Sequence, residues 1–172
     1  LHDGLAAPAT RWNVIAQQTL MAQVDRAMGE GQSFWTDGWD GYPKARERLL
    51  GFIENKNVAN PVVLSGDVHT FAVADLKVDF DRPGLPVVAT EFGGGSITSQ
   101  GPSQKQTQAW QAENPHLIYA NGTRHGYIAM ELTSKRCTAQ MRAVNEKEPN
   151  SPVHTLAAWT VEDGRPGAQR GA

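Results

Sequence analysis

Residues 62–70 read Val-Val-Leu-Ser-Gly-Asp-Val-His-Thr. Pro61 precedes the run, and Val62, Val63 and Leu64 suit a buried strand. Gly66 lets the backbone turn sharply as it leaves that strand. Asp67 and His69 stand two residues apart, so on a chain that stays extended both side chains project from the same side. A hard carboxylate oxygen and an imidazole nitrogen delivered together from a strand end make half of a metal site. The same Asp-x-His also serves as a turn cap beside a hydrogen-bonded histidine. Spacing alone leaves both readings open.

Upstream of this stretch, Asp37-Gly38-Trp39-Asp40-Gly41-Tyr42-Pro43 is a tight loop, with two glycines around a Trp-Asp pair. Pro43 is suited to the first position of a helix, expected over 43–54. That helix carries Arg46, Leu49, Leu50 and Ile53 on one face. Arg46 sits at the loop end of the face, within reach of a site shared with Asp37 and Asp40. Helix capping and turn formation account for the two aspartates as well, and a salt bridge to Glu47 or Asp40 accounts for Arg46. Further back, Leu20, Met21, Val24 and Met28 fall at helical spacing, which predicts a helix over 12–28 ended by Gly29 and Gly31. Gln17 and Gln18 then read as solvated helix residues and Trp12 as core.

Downstream, 71–78 and 87–92 read as strands, with Glu91 near the end of the second. Gly93-Gly94-Gly95-Ser96-Ile97-Thr98-Ser99 follows. Three glycines before a hydroxyl cluster can offer backbone N–H groups to an anion, and Ser96 is the candidate contact, although a plain flexible loop has the same composition. Ser103 is placed to cap a short helix reaching Gln111. Four further strands are expected at 117–120, 126–133, 137–144 and 154–161.

Composition narrows the function. The chain has 172 residues, 16 basic and 18 acidic, for a net charge of −2. That is long enough for one domain with a sizeable core and too balanced for a nucleic-acid binder held by a basic field. No apolar run approaches the ~18 residues of a membrane span. Cys137 is the only cysteine, which excludes an internal disulfide and a multi-cysteine zinc site. Residues 1–10 lack the basic and apolar regions of a signal peptide, and Leu1 is not an initiator methionine, so a piece of a longer chain is expected.

The order Asp-x-Trp-Asp-Gly-Tyr-Pro-x-x-Arg, then Leu-Ser-Gly-Asp-Val-His-Thr, then Glu-Phe-x-x-x-Ser-Ile-Thr-Ser, then Asn-Pro-His-Leu and His-Gly-Tyr, resembles the C-terminal part of PhoD-like enzymes. These are alkaline phosphatases and phosphodiesterases, some acting as phospholipases D. The resemblance implies an α/β (α+β) fold of the calcineurin-like metallophosphoesterase kind, a two-sheet β-sandwich flanked by helices. Residues 1–172 would form the C-terminal part of one such catalytic domain. It implies a site with Fe(III) and Ca2+, in which Gly66-Asp67-Val68-His69 stands where most metallophosphoesterases have Gly-His-x-His. His69 would then bind the iron and Asp67 the calcium, with Asp37 and Asp40 adding calcium ligation or support from behind.

The family's remaining ligands lie in an N-terminal part, so an N-terminal fragment of the same precursor is the expected partner. A phosphate ester or phospholipid is the expected substrate, and a secreted or periplasmic location the expected setting. No nucleic-acid partner and no transmembrane segment are expected. A reading from a different class is a non-catalytic accessory domain that holds an anion in the 93–99 loop.

Overall fold

The apolar run at 62–64 lies within a strand that has neighbours on both sides. The computed structural model describes residues 1–7 and 10–171. Among them the α-helices are α1 (His2–Leu5), α2 (Pro43–Asn55) and α3 (Gln104–Glu113), with a 3-10 turn at Trp39–Gly41. The strands are β1 (Asn13–Thr19), β2 (Pro61–Gly66), β3 (Phe71–Leu76), β4 (Ala89–Gly93), β5 (Leu117–Asn121), β6 (His125–Leu132), β7 (Arg136–Val144), β8 (His154–Glu162) and β9 (Arg165–Arg170).

The strands form two sheets. One is five-stranded in the order β1-β2-β4-β3-β5; β1, β2 and β4 run parallel, and β3 is antiparallel to both β4 and β5. The other is an antiparallel meander, β6-β7-β8-β9. The period of two along each strand divides the core. Val62, Phe71, Val73 and Phe92 face Cys137, Ala139, Met141, Trp159 and Val161 of the meander. Val63, Ala72, Ala74 and Ala89 point the other way, toward Leu49, Leu50 and Ile53 of α2 and toward Met21, Ala22 and Val24. The result is a mixed α/β molecule of three layers, meander, sheet and helix. β2 and β3 are apolar on both faces because both faces are covered. Across the two sheets, the Gly167 N–H of β9 donates to Thr90 Oγ1 of β4 at 3.0 Å.

Both longer helices follow their sequence signals. Pro43 opens α2, whose buried face is Arg46, Leu49, Leu50 and Ile53. Ser103 caps α3 in a capping box with Gln106. The helix expected at 12–28 is absent. Residues 13–19 pair in parallel with β2, and Ile15 is buried while Val14 and Ala16 are exposed, the alternation of a half-covered strand. Residues 20–26 cross the sheet as a non-helical strap. Four of its amides go to side chains instead of i−4 carbonyls. Met21 and Ala22 donate to the two oxygens of Glu91 at 2.7 and 2.8 Å. Val24 donates to Asp40 Oδ2 at 3.1 Å and Asp25 to Asn114 Oδ1 at 2.9 Å. Met28, one of the apolar residues at helical spacing, is 71% exposed. Gln17, expected to be solvated, accepts from the Trp39 indole N–H at 2.9 Å. β9 was not foreseen either.

Candidate metal centre

The chain leaves β2 at Gly66 and does not stay extended. Asp67 and His69 both adopt left-handed backbone angles, with φ of 67° and 53°. The Val68 N–H turns back to the Gly66 carbonyl at 2.8 Å, and the Thr70 hydroxyl donates to the Val68 carbonyl at 3.0 Å. This corrects the expectation of an extended Asp-x-His. The two side chains are brought out by a tight turn at the carboxyl end of a strand, and both residues are exposed. Left-handed angles at two non-glycine residues carry a backbone cost of order 1 kcal/mol each, of the kind that collects at functional sites.

His69 Nδ1 lies 3.2 Å from the Gln100 carbonyl oxygen. A carbonyl only accepts, so the proton of this bond is assigned to Nδ1, and Nε2 keeps its lone pair. Metal-binding histidines are commonly held this way. An exposed carboxylate stands two residues before it. The donor set fits half of a hard-cation centre, and the rest of a shell must come from elsewhere. Among the described residues no three of His, Cys, Asp and Glu converge as a metal-binding group.

The other expected site residues fall into different surroundings. Asp37 is exposed and borders a surface hollow with Gln17, Thr19 and Trp39, beside the carboxyl end of β1. Thr19 pairs with Gly66, so this hollow and the Asp67 turn share one edge of the sheet. Asp40 and Arg46 are committed to each other. Their side chains are 10% and 4% exposed and pair at 2.6 Å. Arg46 also donates to the Met21 carbonyl at 3.2 Å and to Gln23 Oε1 at 2.9 Å, and it stacks over Phe80. An arginine expected to face substrate is thus inside the protein, holding the strap. Ser96 is 8% exposed, and its carbonyl accepts from the Gly126 N–H at 2.8 Å.

Sequence reasoning missed Glu91 as an organising group. It is fully buried, and burial pushes its carboxyl up to about 7 against the pull of the Met21 and Ala22 amides. A lone carboxylate inside an apolar strand was the available signal. Asn114 and His116 of the Asn-Pro-His-Leu stretch do related work. Asn114 brackets Asp25, and His116 Nε2–H donates to the Gln23 carbonyl at 2.7 Å. Burial holds the His116 imidazole below its ordinary range.

The family model described as PhoD-like phosphatase matches residues 1–141, from α1 into β7. The chain belongs to the PhoD-like phosphatase family. It is 34% identical over 174 residues to alkaline phosphatase D of Bacillus subtilis (strain 168), a match covering 99% of this chain and 30% of that protein. A solved structure of PhoD superposes with a TM-score of 0.90 at 32% identity, covering 99% of this chain and 33% of the other. The chain therefore spans about a third of the length of these PhoD-like relatives. The structural match also takes in the strands beyond residue 141.

Proposed function

We propose that the chain is the C-terminal share of a metal-dependent phosphoric ester hydrolase, with Asp67 and His69 as ligands of Ca2+ and Fe(III) respectively. The observation that carries this reading is the His69 ring. Its Nδ1 is spent on a carbonyl, which leaves the Nε2 lone pair on an exposed residue, two positions from an exposed carboxylate, on a turn with two left-handed residues. Family membership supports phosphate ester chemistry. Bound cations in such a site polarise phosphoryl oxygens and lower the pKa of a coordinated water.

Asp67 presents oxygens to the harder ion, and His69 a neutral nitrogen. Asp37 lies on the same sheet edge and is placed to add a carboxylate. Asp40 and Arg46 act one layer behind, fixing the strap against α2. Ser96 and the loop amides around it would line the side of the site away from Asp37. The missing ligands belong to an N-terminal part of the same precursor, in a calcineurin-like arrangement of the whole domain. Phosphomonoesters, phosphodiesters and phospholipids are the candidate substrates, and a secreted or periplasmic enzyme the expected setting.

The test uses the complete enzyme. His69→Ala should lose iron and lower hydrolysis of a nitrophenyl phosphate by orders of magnitude while the circular dichroism spectrum is kept. Full iron content with near-normal turnover would rule the assignment out. Parallel assays on the bis-nitrophenyl ester and on phosphatidylcholine rank the substrates.

A further inference from the structure

The segment that accepts from His69 is unusually confined. Ser96 is held by Gly126, and the Ser99 carbonyl accepts from His125 Nε2–H at 3.0 Å, so β6 anchors one end. The capping box of Ser103 and Gln106 anchors the other. Between them, Gly101 lies against the turn that carries His69. A Cβ at Gly101 would come within 2.1 Å of the His69 carbonyl oxygen and 2.5 Å of the Gly122 carbonyl oxygen. Both obstacles are backbone, which cannot swing aside as a side chain would. Gly101 is absent from the residues with positive φ, so its place demands space and not conformational freedom. Gly122 is similarly pressed, with a Cβ there 2.5 Å from the Pro102 carbonyl.

We propose that Gln100–Gly101 is the positioning element of His69: the Gln100 carbonyl locks the imidazole as the Nδ1–H tautomer, and the missing side chain at Gly101 lets that carbonyl come close enough to do so. The proposal rests on the reading of His69 as a ligand. Gln100 acts through its backbone, and its side chain, exposed to solvent, is free to vary. A one-sided hydrogen bond of this kind selects which nitrogen a metal meets, and loss of such a partner typically weakens metal binding about 10–100-fold.

The experiment is carried out on the complete enzyme in two forms. In the metal-free form, long-range proton–nitrogen NMR of 15N-labelled histidine should show His69 as the Nδ1–H tautomer. An Nε2–H tautomer, or a rapidly exchanging mixture, overturns the proposal without any variant. In the metal-loaded form, Gly101→Ala should release metal to a chelator at least about tenfold faster than wild type, and in the metal-free form it should lose the tautomer preference. Gln100→Ala should leave both readouts unchanged. A folded Gly101→Ala with wild-type tautomer and release rate also overturns the proposal. Should Gly101→Ala fail to fold, the wild-type tautomer measurement decides. Failure of the functional reading looks different: His69→Ala would then keep its full metal content whatever tautomer the wild-type ring adopts.

Discussion

Glu91 lies beneath the strap with no exposure, and its carboxyl titrates near 7 in the folded protein against about 4.5 for an unperturbed glutamate. The folded state thus holds a proton that the unfolded state has released between those values. The resulting stability is fully present below about 4.5 and is lost as pH rises through about 7. Glutamine does not titrate, so the stability advantage of wild type over Glu91→Gln should shrink between pH 5 and pH 8. Calorimetric melting of the metal-free complete enzyme reads this, and parallel curves would refute it. At the proposed centre, Asp67→Asn keeps the turn and removes a charged oxygen. It should shift the calcium dependence of activity to higher calcium while leaving iron content near wild type; an unchanged calcium titration would reduce Asp67 to a turn residue. The proposed pair stands out in the sequence because Gly-Asp-x-His ends an apolar run. Its geometry does not, since nothing local announces left-handed angles at an aspartate and a histidine. Nor could spacing reveal a partner for His69 that is a main-chain carbonyl 31 residues away.

At the scale of elements, α2 and α3 were readable because their ends carry local chemistry, a proline at the first position and a serine cap with its glutamine. The strap was misread because its apolar residues repeat at helical spacing while the partners of its amides sit on β4, on the loop before α2 and beyond α3. β9 was overlooked although Asp163-Gly164 is a hairpin signal, with Gly164 at φ of 72°. The Asp40 and Arg46 pair, foreseen as either site or salt bridge, is a nearly buried ion pair. Removing one member leaves the other charge uncompensated, so Arg46→Ala or Asp40→Ala should each destabilise by about 3–5 kcal/mol. Thermal melting measures it, and a loss below 1 kcal/mol would show that solvent reaches the site. The double variant Asp40→Ala with Arg46→Ala should recover part of the loss.

Across the whole molecule, two sheets and their flanking helices were anticipated, and the pairing order β1-β2-β4-β3-β5 was not, because strand order depends on contacts far apart in sequence. β1 pairs on one side only, with β2, and Val14 on it is 43% exposed. An open edge of this type pairs with whatever strand is offered. Produced alone, the chain should self-associate, and produced with the remainder of a PhoD-like precursor it should elute as a one-to-one complex. Sizing by light scattering checks both, and a monodisperse monomer with full activity would sink the idea that the remainder docks here.

The strap carries a consequence for the order of folding. Its amides reach acceptors 70, 16 and 89 residues distant in sequence, and its Gln23 carbonyl is met from 93 residues away. None of these bonds is available until β4, α2 and the stretch around Asn114 are already in place. Loop closure must therefore be completed before the strap gains anything. It should settle last during refolding and open first from the native state. In hydrogen exchange, the amides of Met21, Ala22 and Asp25 would release their protons well ahead of the β2 amides beside them.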